Sequence, residues 1–249
     1  MLLTELLLDP AGRSGAANMA IDAGLLAEAA RTGRAFLRLY RFDPPCLSLG
    51  RNEAAAHYDR AAIAQRGLDV VRRPTGGRAV WHEYEVTYAV AAPIATFGGL
   101  RAAYHAIHTR LAAAIRTLGV TATLAPNAPT GRPPVRLSSC FAAPVGGEVL
   151  VGGRKVVGSA QVREGRAFLQ HGSILLAGSQ ELVTAVSREP QAASAATTLS
   201  AELGRPVTWE EVADGVARAW SDDITSAARS RPLPPATAHF SDPAWTWRR

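Results

Sequence analysis

The sequence has 249 residues, of which 47% are hydrophobic and 19% charged, and its formal net charge is +6. This composition excludes a disordered chain, and the length suffices for one sizeable hydrophobic core. No apolar run reaches the roughly 18 residues that span a bilayer. Glu5 and Asp9 near the N-terminus argue against a secretory signal. The two cysteines are too few to build a disulfide scaffold or a zinc site. We therefore expect a reduced, cytoplasmic protein with no membrane partner.

The positive charge is concentrated in two stretches. Residues 31–78 contain 10 arginines against 4 acidic residues, and residues 101–166 contain 8 arginines and 1 lysine against 2 acidic residues. These stretches predict a positive surface that suits an acidic partner, although the same arginines could simply decorate a solvated face. We expect no nucleic-acid partner, because the chain has neither zinc-finger spacing nor a basic motif interleaved with aromatic residues.

Hydrophobic periodicity and turn residues predict alternating strands and helices in the first half of the chain. Strands are expected at residues 2–8, 35–40, 46–49, 68–73 and 85–92. Helices are expected at residues 18–30, with Asn18 as the candidate cap, and at residues 59–66 before Gly67.

The clearest helix is predicted over residues 101–118. Its apolar residues recur at helical spacing along one stripe: Tyr104, Ile107, Leu111, Ile115 and Leu118. His105 and His108 lie on or beside this helix, and we interpret both as ordinary histidines of its surface or boundary.

The second half begins with a predicted meander. Gly152 and Gly153 indicate a two-residue hairpin between strands at residues 148–151 and 154–157. Alternation along the second strand places Lys155 and Val157 on one face. Another strand is expected at residues 166–176. The end of the chain, residues 200–249, is predicted to be a small helical region with a capping box at Thr208.

The chain contains a single lysine, Lys155, beside 26 arginines. The guanidinium group of arginine is planar and keeps its proton, whereas the ammonium group of lysine is compact and its protonation responds to burial. A sequence that uses arginine for almost every positive charge and retains one lysine indicates a chemical role for Lys155. The alternative is that this lysine survives by chance on a strand surface.

A glycine loop lies between two of the predicted strands. Residues 72–82 read Arg-Arg-Pro-Thr-Gly-Gly-Arg-Ala-Val-Trp-His. Adjacent glycines let the backbone approach a ligand closely, and loop amides can bind an anion or a carbonyl. The segment is neither a P-loop nor a Rossmann fingerprint, and a simple Gly-Gly hairpin turn would explain it nearly as well.

The two cysteines have different surroundings in the sequence. Cys140 lies between a proline-rich loop and the meander, where cationic neighbours would favour its thiolate and make it a nucleophile. Its alternative interpretation is a small buried hydrophobic residue. No histidine is close to Cys140 in sequence, so Lys155 is the candidate activator. Cys46 follows a proline pair in a predicted strand, and we interpret it as structural.

Three motifs in this order resemble the biotin/lipoate protein ligase family. They are residues 72–82, residues 153–161 (Gly-Arg-Lys-Val-Val-Gly-Ser-Ala-Gln) and residues 169–176 (Leu-Gln-His-Gly-Ser-Ile-Leu-Leu). Within that family the sequence most resembles the octanoyltransferases of the Bacillus type, and the resemblance covers nearly the whole chain. Three further segments match that branch in its first helix, its cysteine segment and its tail: residues 18–22, 139–144 and 242–247.

The resemblance implies an α/β fold, a mixed sheet flanked by helices like the catalytic domain of biotin protein ligases. Residues 1–249 would form a single acyltransferase domain, with residues 200–249 as a helical C-terminal extension. The implied catalytic residues are Cys140 and Lys155. The implied substrate-binding residues are Arg72, Arg73, Gly76, Gly77, Arg78, His82, Gly158, Ser159, Ala160, His171 and Gly172.

The implied reaction moves octanoyl from acyl carrier protein to a lysine of the glycine cleavage H protein or another lipoyl domain. The Cys140 thiolate would form an acyl-enzyme, and Lys155 would stabilise the thiolate, the developing oxyanion, or both. Passing the acyl group from a thioester to an amide is downhill, so no cofactor and no metal are expected.

Three alternatives stay open. An ATP-dependent lipoate–protein ligase would need ATP and Mg²⁺, but such ligases typically continue the glycine loop with His-Asp-x-Gly-Asn, and here Glu83 follows His82. An amidotransferase that moves lipoyl or octanoyl between two lipoyl domains would use the same cysteine and lysine. A basic binding module without catalysis is disfavoured because Cys140 and Lys155 are both present.

Overall fold

The computed structural model describes residues 4–126, 146–189, 196–228 and 238–248. No helix among these residues has the length and apolar content needed to cross a membrane. In chain order the elements are β1 (Thr4–Arg13), α1 (Gly15–Thr32), β2 (Ala35–Phe42), β3 (Cys46–Leu49), α2 (Arg60–Gln65), β4 (Asp69–Arg72), β5 (Val80–His82), β6 (Glu85–Pro93), α3 (Leu100–Arg116), β7 (Ala122–Leu124), β8 (Val149–Val151), β9 (Arg154–Lys155), β10 (Val157–Glu164), β11 (Ala167–Leu175), α4 (Glu181–Ala185), α5 (Leu199–Leu203), α6 (Trp209–Ala219), β12 (Ile224–Ala228) and α7 (Pro243–Thr246).

A six-stranded mixed sheet forms the centre of the molecule, with the strand order β10-β11-β6-β2-β1-β12. β1 runs parallel to β2 and to β12, and the other neighbouring strands are antiparallel. Helices pack on both faces, so the predicted α/β fold class is confirmed.

Alternate residues of the central strands serve two separate cores. On β2, Leu37 and Leu39 pack in the core that contains α3 and α6, whereas Phe36 and Tyr40 pack in the core that contains α1. Because both faces are covered, β2 and β6 read as nearly continuous apolar runs rather than as alternating patterns. This two-sided burial fixes which side chains reach each face.

Two smaller sheets carry the segments that matter for function. One has the order β4-β3-β5, and the glycine loop connects its two outer strands. The other has the order β7-β8-β9 and ends at Lys155. Both glycines of the predicted hairpin adopt positive φ, 56° at Gly152 and 75° at Gly153, which confirms the turn.

Helix α1 begins earlier than its sequence pattern indicates. The cap is Ser14, whose hydroxyl accepts from the backbone of Ala17, and Asn18 as the cap was wrong. Asn18 is fully buried instead, and its amide nitrogen donates to the carbonyls of Arg13 (3.0 Å) and Arg41 (3.1 Å). The asparagine therefore ties the helix to two strands.

The predicted alternation around Lys155 was also wrong. Lys155, Val156 and Val157 are all buried, and only Arg154 is exposed. The chain leaves the three-stranded sheet at Lys155 and enters the central sheet at Val157, so the two residues do not share one strand face.

The C-terminal part contains α5, α6 and α7, together with a strand that the prediction of a helical extension did not include. Residues 224–228 form β12 and pair in parallel with β1 at the edge of the central sheet. Val212, Val216 and Trp220 of α6 lie in the same core as α3. This region is therefore built onto the central sheet.

Helix α6 starts with the predicted capping box, in which Thr208 accepts from Glu211 and the Glu211 carboxylate accepts from the backbone of Thr208. We expect Thr208→Ala to lower the free energy of unfolding by about 1 kcal/mol, because a helix donor loses its partner. Thr208→Ser keeps the hydroxyl and should match wild type in urea titrations. Equal stability of the Ala variant would show that the box contributes nothing.

Candidate active site

A pocket with about 360 Å³ of open space lies where α1, the central sheet and the glycine loop meet. Its walls come from segments far apart in sequence: Met19, Tyr40, Phe42, Ser48, Arg73, Val80, His82, Thr87, Gly158, Ser159, Ala160, His171, Gly172 and Ser173. That space includes volume open to solvent, so the pocket is an open cleft rather than an enclosed cavity.

The structure brings most of the predicted binding residues to this pocket. Seven of them line it: Arg73, His82, Gly158, Ser159, Ala160, His171 and Gly172. Gly76, Gly77 and Arg78 belong to the loop that forms one wall, and Arg72 lies behind that loop. Their assignment to a substrate stays a prediction.

Arg72 and Arg73 hold the glycine loop through backbone carbonyls. The Arg73 guanidinium donates to the carbonyls of Gly76 (2.8 Å) and Arg78 (2.6 Å) and to the hydroxyl of Ser48 (3.1 Å). The fully buried Arg72 donates to the carbonyls of Gly50 and four other residues. Arg72 therefore shapes the site from behind, whereas Arg73 reaches the pocket.

The loop also packs directly on the preceding turn. A Cβ atom added to Gly50 would lie 1.9 Å from the carbonyl oxygen of Gly77, so the two backbones can approach only if residue 50 is glycine. Gly77 itself has a φ of 91°.

His171 links helix α1 to the glycine loop. Its Nδ1 lies 2.8 Å from Asp22 Oδ2 and its Nε2 lies 2.6 Å from Thr75 Oγ1. Asp22 also accepts from Tyr40 Oη at 2.8 Å and from the Arg38 guanidinium at 3.1 Å. The carboxylate thus fixes the ring orientation of His171 at the pocket wall.

His82 has a similar arrangement on the other side of the pocket. Its Nδ1 lies 2.6 Å from Glu85 Oε1, its Nε2 lies 2.7 Å from Ser48 Oγ, and Phe42 stacks on the ring at 4.2 Å. Both pocket histidines are therefore oriented by a carboxylate on one nitrogen and meet a hydroxyl with the other.

His108 belongs to the site, and the interpretation of it as an ordinary surface or boundary histidine was wrong. It is fully buried in α3; its Nδ1 lies 2.8 Å from the Gly147 carbonyl and its Nε2 lies 2.8 Å from Ser159 Oγ. His108 is four residues after Tyr104 and three before Leu111, so it falls within the apolar stripe. That position is the signal that could have identified it.

Burial lowers the pKa of His108 to about 4, and the nearby charge of Lys155 contributes. The ring is therefore neutral at pH 7, with its proton on Nδ1, because a carbonyl can only accept. Ser159 then donates to Nε2. Tyr88 in turn lies 2.6 Å from Ser159 Oγ and accepts from Gln170 at 2.9 Å. This buried chain fixes the direction of the Ser159 hydroxyl in the pocket wall.

Lys155 lies beside this network and outside the pocket lining. It is 2% exposed, and its Nζ lies 2.6 Å from Glu148 Oε1. Its backbone carbonyl accepts from Thr197, so the residue is held on both sides. A buried lysine in a salt bridge agrees with a specific role better than with chance survival on a strand surface.

Of the two cysteines, only Cys46 lies among the residues that the structure describes. Cys140 lies outside the described residues, so its role as nucleophile stays a prediction. Cys46 is fully buried in β3, where burial, followed by the charge of Asp69, raises the pKa of its thiol well above the ordinary value. This confirms that Cys46 is a buried strand residue; its structural role stays a prediction. No group of three His, Cys, Asp or Glu side chains in the described ranges has the arrangement of a metal site.

Comparisons with known proteins agree with this geometry. The family model of the lipoyl protein ligase A/B catalytic domain matches residues 14–221. Octanoyltransferase LipM of Moorella thermoacetica is 39% identical over 232 residues, which cover 86% of this chain and 84% of that protein. The chain belongs to the family of the lipoyl protein ligase A/B catalytic domain. Octanoyltransferase LipM of Symbiobacterium thermophilum is 37% identical over 85% of this chain and 83% of its own length.

Solved structures show the same fold. The protein Ta0514 of T. acidophilum with bound lipoic acid superposes with a TM-score of 0.77 at 19% identity, over 99% of both chains. A lipoate-protein ligase A bound with ATP superposes with a TM-score of 0.73 at 20% identity, over 93% of this chain and 89% of that chain. These structures show the fold, whereas the octanoyltransferase relatives and the family model make this chain an enzyme of the acyltransferase class.

The buried neutral His108 predicts a pH dependence of stability. Its pKa is about 4 in the folded chain and 6.5 as a free side chain, so acid favours the unfolded state, which binds the proton first. Stability is fully present above pH 6.5 and falls toward pH 4, by about 2 to 3 kcal/mol at pH 4.5 from this residue.

Urea titrations at pH 7 and pH 4.5 measure this effect. His108→Gln should lose less free energy of unfolding between these pH values than wild type does. His105→Gln, at an exposed position on the same helix, is the control and should keep the wild-type slope. An unchanged slope in the His108 variant would mean that the buried ring does not titrate as described.

Proposed function

We propose that this chain is an octanoyltransferase of lipoate biosynthesis. It transfers octanoyl from the thioester of acyl carrier protein to the lysine of a lipoyl domain, such as the glycine cleavage H protein. The observation that carries the proposal is the pocket, which gathers three separate sequence motifs around one cavity. The 39% identity to an octanoyltransferase over most of the chain supports the choice of acyl group.

The pocket has the character that a medium-length acyl chain requires. Met19, Phe42, Val80 and Ala160 give it an apolar lining, while the polar groups are mostly bonded to one another. Burial of each methylene contributes about 0.8 kcal/mol, so an eight-carbon chain gains several kcal/mol. Adding a Cβ to Gly172 would place it 2.2 Å from the Gly158 carbonyl, so close strand packing keeps this part of the wall at glycine.

The chemistry we propose has two acyl transfers. The Cys140 thiolate attacks the carbonyl carbon of the donor thioester, a new S–C bond forms, and the carrier's thiol leaves with a proton. The amine of the acceptor lysine then attacks the acyl-enzyme, forms an amide, loses a proton and releases the cysteine thiol. Both steps develop an oxyanion, which cationic or amide donors stabilise.

Lys155 supplies the cation in this proposal. Its ammonium is held by Glu148 in a buried site next to the His108 network, where a charge acts more strongly than in water. No nucleotide enters either step, because the donor is already an activated thioester. A positive surface, which the arginine-rich stretches predict, would steer the protein partners during encounter, since carrier proteins are commonly acidic.

Mass spectrometry of the intact enzyme tests the covalent route. Mixed with octanoyl carrier protein and no nucleotide, the wild type should gain one octanoyl group that hydroxylamine removes. Cys140→Ala should lose the adduct, because the thiolate is the nucleophile. Cys46→Ala is the matched control and should keep it. Transfer by Cys140→Ala at the wild-type rate would exclude the acyl-enzyme, and strict dependence on ATP and free acid would indicate a ligase.

Substitution of Lys155 by arginine tests the role of this residue. Lys155→Arg keeps the charge but places a larger planar group beside Glu148 in a site that is 2% exposed. We expect most of the transfer rate to be lost while thermal unfolding shows a folded protein. Arg154→Lys, at the exposed neighbouring position, should retain full activity. A fully active Lys155→Arg would show that charge alone suffices.

A further inference from the structure

Four arginines meet at one turn, residues 50–53, beside the pocket. We call them the arginine cluster: Arg51, Arg72, Arg78 and Arg248. Arg72 Nη1 donates to the carbonyls of Gly50 and Glu53, both at 2.6 Å. Arg248 Nη2 donates to the carbonyl of Arg51 at 2.6 Å, although it comes from the other end of the chain. The turn is therefore surrounded by guanidinium groups.

The described residues offer this cluster little negative charge. Within the part of the chain that the structure describes, Glu53 is the one carboxylate ion-paired with it, at 3.8 Å from Arg78 Nη1. Its oxygens already accept from the Gly50 amide at 3.0 Å and from Tyr58 Oη at 2.8 Å. The four cations of the cluster thus have one buried carboxylate nearby, and its oxygens are already engaged.

The cations also lie close enough to repel one another. Burial lowers the pKa of Arg72, and the neighbouring charge of Arg248 lowers it further. Burial likewise lowers the pKa of Arg248, with a contribution from Arg51. A site that holds several like charges together against a single counter-charge gains from binding an anion.

The cluster contacts the glycine loop, and part of that loop lines the pocket. The amide of Arg51 donates to the carbonyl of Thr75 at 2.8 Å, and Arg73 connects the pocket to the Arg78 carbonyl. The donors of Arg72 are used by carbonyls. Arg51, however, is exposed, and its side chain has no hydrogen-bond or ion-pair partner among residues 4–126, 146–189, 196–228 and 238–248.

We propose that the arginine cluster binds the phosphate of the pantetheine arm that carries the acyl thioester. This inference rests on the proposed function, because it assigns the phosphate to the same donor. With the acyl chain in the pocket, the arm leaves past the glycine loop, where Arg51, Arg78 and Arg248 meet its phosphate. Guanidinium forks match phosphate oxygens and bind them with charge-assisted hydrogen bonds.

Two small donors that differ only in the phosphate test the site: S-octanoyl-4′-phosphopantetheine and S-octanoyl-pantetheine. Wild type should show a KM about tenfold lower for the phosphorylated donor, with the same kcat, the size expected from charge-assisted contacts. Arg51→Gln and Arg248→Gln should each remove most of this preference, and Arg51→Lys should restore part of it.

The control is Arg31→Gln, an exposed arginine near the far end of α1, which should keep the wild-type preference. Equal KM values for the two donors in wild type would overturn the phosphate site while leaving the octanoyltransferase proposal intact. Failure of wild type to use either donor or octanoyl carrier protein would instead overturn the proposed function. Variants impaired only with the whole carrier protein would also overturn the phosphate site and indicate an acidic protein surface as the ligand.

Discussion

The carboxylate of Asp22 is the point at which the elements around the pocket are joined. It lies in α1 and accepts hydrogen bonds from Arg38 and Tyr40 of β2, and its other contact is Nδ1 of His171 in β11. Asp22 and Arg38 are fully buried, so their ion pair acts in a poorly solvated interior. A buried charge is tolerated only with several partners, and these partners hold three elements in one geometry.

This constraint extends to the glycine loop. Asp22 orients the ring of His171, and Nε2 of that ring is hydrogen-bonded with the hydroxyl of Thr75. Thr75 is part of the loop whose carbonyls accept hydrogen bonds from Arg73. The pocket wall is therefore prepared before a substrate arrives, because its polar groups already have fixed partners. Such preorganisation lowers the cost of ordering groups at the moment of reaction.

A second buried network of hydrogen bonds orients the part of the pocket wall that contains Ser159. Neutral His108 fixes Ser159, and Tyr88 and Gln170 continue the chain of hydrogen bonds. The ion pair of Lys155 and Glu148 lies next to it, so one fixed cation adjoins a set of neutral, oriented dipoles. Cationic side chains near the pocket are therefore this lysine, Arg73 in the pocket lining and the arginine cluster.

Much of this site could be anticipated from local sequence. Adjacent glycines in the loop, the hairpin at Gly152 and the singular Lys155 are visible along the chain, because turns and composition are local properties. The motifs that line the pocket were also predicted, through their resemblance to a family. By contrast, Asn18 as a cap was wrong, because its side chain serves distant strands rather than its own helix.

The sequence by itself determined the elements that have a strong local signal: the apolar runs of β2 and β6, and the start of α6 at Thr208. Only the tertiary structure decided which polar side chains meet. Asp22 and His171 are 149 residues apart, and Arg72 and Arg248 are 176 apart. Periodicity relates residues within a few positions of one another, so it could not show that His108 is buried against Ser159. Packing of the two cores against the central sheet sets those contacts.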